Sequence, residues 1–124
     1  MDMEQWHRAD PLNCPAVATL GEISGKWKPA ILYFLFSGTR RFSELQRLIP
    51  SISHKTLTQQ LRELEEAGIV HRDVFPTVPP RTEYQLTGAG RELDAIFLQL
   101  YRWGEAHVMP RRMAEAEERI AAAE

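Results

Sequence analysis

The chain has one cysteine, Cys14. A single thiol cannot build an internal disulfide framework or a multi-cysteine zinc site, since both need several sulfurs within one chain. Redox chemistry at Cys14 would have to run between chains or with a small thiol. Long apolar runs are also missing, and none approaches the ~20 residues that span a bilayer. The stretch from Met1 to Arg8 carries charge and a tryptophan where a signal peptide requires an unbroken apolar segment. A cytoplasmic chain with no membrane partner is therefore expected. Enzyme signatures are absent as well. There is no glycine-rich phosphate loop and no nucleophile elbow, and His7, His54, His71 and His107 are not at metal-binding spacing. Glu65 and Glu66 are adjacent on a helix, so their carboxylates diverge. A thiol enzyme would need a base beside Cys14, and the nearest histidine in sequence is His7 at the terminus. The expectation is a non-enzyme with no cofactor and no metal.

What is present is ordinary for one globular domain: 124 residues, 44% apolar and 26% charged. The net charge of −2 looks wrong for a partner of nucleic acid, but the charge is segregated. Between Arg40 and Arg62 stand Arg40, Arg41, Arg47, Lys55 and Arg62 against Glu44 alone, a local charge of +4. From Glu92 onward, Arg102, Arg111, Arg112 and Arg119 are opposed by seven acids. A basic middle fits phosphates, although solvated helices produce the same asymmetry.

Short helices and one hairpin account for the chain. The first helix runs from Pro15 to Ile23, stopped by Ser24-Gly25, and a second starts near Pro29 with the apolar run Ala30 to Phe36. Gly38 closes that helix, and Thr39 to Phe42 reads as a short strand leading to Ser43 as a helix N-cap. Leu45, Leu48 and Ile49 share a face of the next helix, which stops at Pro50. Ser53 caps a further helix, His54 to Ala67, that ends at Gly68. Two short helices thus meet across about four residues, as a helix-turn-helix requires. Ile69 to Phe75 and Thr82 to Leu86 then form a hairpin whose tip holds Pro76, Pro79 and Pro80. Thr87 and Gly88 open a long helix with a stripe of Leu93, Ile96, Phe97, Leu100, Tyr101, Trp103 and Gly104. Pro110 is expected to interrupt it and leave a charged, alanine-rich tail. The fold class is mainly α with a small β-hairpin (α+β): an N-terminal arm over 1–13, a winged helix-turn-helix domain over 14–109, and a helical tail over 110–124.

With Leu57, Leu61 and Leu64 turned inward, the opposite face of the second helix of the motif presents Lys55, Thr58, Gln59 and Arg62. These are base-edge and phosphate readers by type, and the N-terminal end of such a helix enters the major groove deepest. Ser53 and His54 are assigned to phosphate, and Lys55, Thr58 and Gln59 to bases. Taken alone, an exposed helix face carries such residues anyway; their place in the helix-turn-helix-hairpin order decides the reading. Arg72 and Arg81 on the hairpin, and Arg40 and Arg41 before the motif, can approach flanking phosphates or the minor groove. Arg72 could equally pair with Asp73 or Glu83. Trp27 and Trp103 read as packing residues rather than a ligand cage.

These stretches resemble the HxlR-type winged helix-turn-helix regulators, distant relatives of the MarR type. The resemblance covers Cys14 to His107. It is carried by Cys14-Pro15, Gly25-Lys26-Trp27, Arg41 to Leu45, Ile52-Ser53, Leu57 to Glu65, Gly68 to Arg72 and Pro79 to Thr87. Gly88-Ala89-Gly90 and the acidic, alanine-rich end after Pro110 depart from the family's pattern. The resemblance implies a sequence-specific regulator, read as a repressor, that binds double-stranded DNA as a homodimer on a palindromic operator. Its first and last helices would join the protomers, with Leu93, Ile96, Phe97, Leu100 and Trp103 in the interface. It also makes Cys14 a candidate sensor of a small electrophile, aldehyde or oxidant, at a helix N-terminus that favours negative charge. The competing reading of Cys14 is a small buried packing residue. The competing reading of the whole is a winged-helix protein-interaction module without DNA binding.

Overall fold

The computed structural model describes residues 2, 4, 5, 10, 12 and 14–124. His7 and most of the expected arm over 1–13 lie outside them. The chain forms two compact units, Met1–Arg91 and Glu92–Glu124.

In the first unit, α1 (Pro15–Ile23) begins as the sequence predicts, with Pro15 in its first turn and Cys14 as an extended N-cap residue. Helix α2 (Lys28–Phe36) buries Ile31, Leu32 and Leu35. A two-residue strand, β1 (Arg40–Arg41), leads into α3 (Phe42–Leu48). The cap of α3 corrects the sequence reading. The helix starts ahead of Ser43, with Arg41 as N-cap, because the Glu44 carboxylate accepts a hydrogen bond from the Arg41 backbone N–H at 3.0 Å. Ser51, with φ 68°, reverses the chain, and Ser53 Oγ accepts from Thr56 N at 3.1 Å to cap α4 (His54–Glu66) as expected. Leu57, Leu61 and Leu64 of α4 are fully or almost fully buried. Each such leucine contributes roughly 1.5–3 kcal/mol of apolar burial. Gly68, at φ 77°, closes the helix with Ile69 N bonded to Leu64 O and Gly68 N to Glu65 O.

Strands β2 (Val70–Phe75) and β3 (Arg81–Leu86) form the hairpin, and β1 pairs antiparallel on the other side of β3. Register sorts the side chains. Arg72 lies opposite Tyr84 and Val70 opposite Leu86, while Arg41 and Asp73 flank Glu83. Val70, Tyr84 and Leu86 are buried, so their face packs on the helices. His71, Asp73, Phe75, Arg81, Glu83, Gln85 and Arg41 share the opposite face.

Thr87 ties the next helix, α5 (Gly88–His107), to the sheet. Its hydroxyl donates to Gly68 O at 2.6 Å and accepts from Gly90 N at 3.0 Å. Gly90 is required here: a Cβ would lie 2.2 Å from the Ile69 carbonyl oxygen.

The second unit holds the rest of α5 and α6 (Met109–Ala123). The break between them falls at Val108, two residues ahead of the expected site. Pro110 cannot donate to the carbonyl four residues back and clashes with it, so α5 ends early and Pro110 takes the first turn of α6. Leu93 is buried and Phe97 half-buried, whereas Ile96, Leu100 and Trp103 are 50%, 51% and 61% exposed. Trp103, expected to be a packing residue, is thus largely uncovered within the single chain; Trp27 is half-buried. No described helix is long and apolar enough to cross a membrane.

Candidate nucleic-acid interface

The surface of interest is built on α4, because its buried leucines fix which side faces out. At 100° per residue, Lys55, Gln59 and Arg62 fall on the stripe opposite Leu57 and Leu61, and all three are exposed. Lys55 and Arg62 make no ion pair among the described residues. Gln59 donates its side-chain amide to Glu63 Oε1 at 3.3 Å. Glu63 in turn pairs with Lys28 of α2 at 2.8 Å. Hydrogen bonds from Lys28 and then Gln59 hold the Glu63 carboxyl below its ordinary value. Thr58 is half-buried on the flank toward the hairpin and donates its hydroxyl to the His54 carbonyl at 2.8 Å, which leaves its oxygen free to accept. Ser53, at the helix start, spends its acceptor on the Thr56 N–H and its proton on Thr56 Oγ1 at 2.9 Å. His54 is exposed, with its ring 4.7 Å from that of Phe42.

A cleft of about 680 Å³ separates α4 from the hairpin, lined by Arg41, Ser43, His54, Thr58, Arg81 and Thr82 among others. Of the candidate residues, the structure therefore brings Arg41, His54, Thr58 and Arg81 around one opening. The sequence reading missed Phe42, Ser43, Thr77 and Thr82 in this lining. Their signal was available in the short runs flanking Arg41 and Arg81, but only the folded chain brings Phe42 and Ser43 of α3 and Thr77 and Thr82 of the hairpin to one cleft.

The arginines that flank the helix are all engaged. Arg40 donates from Nε to Phe34 O at 3.4 Å and from Nη2 to Ser37 Oγ at 2.9 Å, which serves the open carbonyl end of α2. Its Nη1 also lies 3.9 Å from Glu44. Arg40 is thus held by the end of α2 rather than by the stripe on α4. Arg72 pairs with Glu65 of α4 at 3.6 Å, not with Asp73 or Glu83. Residue 72 lies on the core side of the sheet, opposite Tyr84, whereas both acids lie on the other side. Asp73 instead bonds His71 at 2.9 Å. Burial pushes the Tyr84 phenol above its usual value, and the Arg72 charge opposes that shift.

Arg41 and Arg81 converge on one acid. Glu83 Oε1 lies 4.0 Å from Arg41 Nε and 3.3 Å from Arg81 Nε, and the Arg81 guanidinium stacks over Phe75 at 4.5 Å. The contact at Arg81 Nε is close but not aligned as a hydrogen bond, so that buried N–H has no acceptor.

Cys14 is 6% exposed and makes no side-chain cap bond. Among the described residues, no group of three or more His, Cys, Asp and Glu side chains could hold a metal.

Two short helices joined by a turn, followed by a hairpin and edged by a third short strand, define a winged helix-turn-helix of the kind found in transcriptional regulators. The chain belongs to the HxlR-like helix-turn-helix family, whose model matches residues 22–112. The uncharacterized HTH-type transcriptional regulator YybR of Bacillus subtilis (strain 168) is 51% identical over 94 residues, which cover 76% of this chain and 75% of that protein. Among solved structures, the redox regulator HypR in its oxidized form is similar at 51% identity and a TM-score of 0.69, covering 76% of this chain and 97% of that one. HypR in its reduced form gives 47% identity and a TM-score of 0.74, over 80% and 98% of the two chains.

Proposed function

We propose that this regulator binds double-stranded DNA by placing α4 in the major groove, as a homodimer on a palindromic operator. The observation that carries the reading is the outward stripe of Lys55, Gln59 and Arg62, whose two cations have no acidic partner among the described residues. Lys55, Thr58 and Gln59 read base edges, with Thr58 acting as an acceptor because its proton is engaged. His54 and Arg62 contact phosphate, and Arg41, Arg72 and Arg81 flank the site from the hairpin side. Ser53, expected at phosphate, has its hydroxyl proton held by Thr56 Oγ1 and contributes by capping α4. Arg40 contributes by positioning β1. The regulatory sense proposed is repression, by keeping other proteins off the DNA that the dimer covers.

The dimer is proposed to join through α1 and α5. Ile96, Phe97, Leu100 and Trp103 form the interface stripe on α5, and the exposure of Ile96, Leu100 and Trp103 supports it. Leu93, also expected there, is already covered by its own chain and supports the stripe from beneath. Two-fold symmetry then sets half-sites about 10 base pairs apart.

Cys14 is proposed as the sensor of an oxidant or a small electrophile such as an aldehyde. Against a two-electron oxidant, the Cys14 thiols of two protomers lose two protons and two electrons together and form one disulfide. Similarity to a redox regulator supports this reading. Burial of the thiol requires the start of α1 to open first. Replacement of Cys14 by serine is expected to abolish any change in DNA affinity on diamide or aldehyde treatment, and an unchanged response overturns the sensor role.

The experiment for the central reading is a salt titration on a random-sequence duplex, followed by mapping of protected DNA. Affinity is expected to fall steeply as salt rises, and Arg62→Ala is expected to lower the slope of log K against log salt by about one. No binding at low salt would overturn the reading and leave a protein-interaction module.

A further inference from the structure

Helix α6 carries an uncovered apolar stripe with charge patterned on both flanks. Met109, Met113, Ala116, Ile120 and Ala123 are spaced alternately four and three residues apart. That alternation marks the two seam positions of a heptad repeat. No residue of α6 is buried, and Met113 and Ile120 are 61% and 63% exposed. Arg111 and Glu115, which pair at 3.9 Å, sit away from the seam and stabilise the helix from its outer side.

The flanking positions decide what covers the stripe. On one flank stand Arg112 and Arg119, seven residues apart; on the other stand Glu117 and Glu124, also seven apart. In a parallel, in-register pair of helices, each residue on the first flank meets the residue five positions later on the opposite flank of the other helix. Arg112 then meets the partner's Glu117, and Arg119 meets the partner's Glu124. In an antiparallel pair each flank meets its own kind, which sets arginine against arginine and glutamate against glutamate. Opposite charge across every contact selects the parallel arrangement, and a second copy of the same chain supplies it.

We propose that α6 forms a short parallel coiled coil with α6 of a second copy, extending the dimer beyond the 22–112 region that the family model matches. A seam of about two heptads rich in Met and Ala is too short to hold two free helices together. It forms because the α5 interface already joins the protomers and raises the effective concentration of the two α6 helices. The proposal therefore rests on the homodimer reading.

The test uses the full chain with Cys14→Ser, which removes its one native thiol, and adds either Met113→Cys or Ile120→Cys on the seam. With diamide, each single-cysteine chain is expected to give a disulfide-linked dimer, since a parallel in-register seam places each cysteine against itself. Arg112→Glu with Arg119→Glu is expected to cut the cross-linking rate roughly tenfold by placing glutamate against glutamate, and adding Glu117→Arg and Glu124→Arg to restore it. Sedimentation of the uncross-linked chains separates the two readings. A dimer that does not cross-link, that cross-links only between mixed Met113→Cys and Ile120→Cys chains, or that ignores the charge reversal overturns the coiled coil and leaves the homodimer intact. A monomer overturns both.

Discussion

Lys28 Nζ lies 2.8 Å from Glu63 Oε2, joining α2 to the flank of α4 that also holds Gln59. Lys28 is 13% exposed at its side chain and Glu63 38% exposed, so the cation is the more costly of the two to leave unpaired. Glu63→Gln is therefore expected to lower stability at neutral pH and Lys28→Met to lower it less. The folded-state pKa of Glu63 is depressed, so its stabilisation is present above the ordinary carboxylate pKa and is lost as pH falls through the depressed value. Urea melts of wild type and Glu63→Gln should differ at pH 7 and converge as pH drops below the usual carboxylate range.

Glu83 holds both Arg41 and Arg81 where a phosphate would compete for them. Glu83→Gln is expected to raise affinity for random duplex roughly three- to tenfold at low salt and to steepen the salt slope by about one. The thermal midpoint should move little, because ion pairs this close to solvent contribute about 0–1 kcal/mol. Titration of both proteins at several salt concentrations checks it; an unchanged or weakened affinity would show that Glu83 positions the arginines for DNA instead of competing with it.

Two glycines at the start of α5 should respond in opposite ways. Gly90→Ala drives a Cβ into the Ile69 carbonyl and is expected to cost about 1–3 kcal/mol. At Gly88 a Cβ meets nothing, and Gly88→Ala is expected to be neutral or stabilising by up to about 1 kcal/mol. Denaturant midpoints of the two variants distinguish them.

Leu57 is fully buried on the inner face of α4. Leu57→Ala is expected to cost about 2–5 kcal/mol from lost burial and the cavity left behind. Because the same helix presents Lys55 and Arg62, DNA binding should fall with the folded fraction and recover under stabilising osmolyte.

Where the signals are local, the sequence was enough. Pro15 and Ser24-Gly25 bound α1, Ser53 caps α4, and the leucine period of α4 names the side that faces out, because each depends on residues within one or two turns. The N-cap of α3 shows the limit of such reasoning: Ser43 is a good cap by type, yet Glu44 reaches back to the Arg41 N–H and moves the helix start. The tertiary structure alone decided what each arginine does. Arg40, Arg41, Arg72 and Arg81 look alike along the chain, but strand register puts Arg72 on the face of Glu65 and brings Arg41 and Arg81 to Glu83, while the end of α2 takes Arg40. Charge partners are set by distance in space. That distance follows from strand pairing and helix packing, which no local spacing in the sequence encodes.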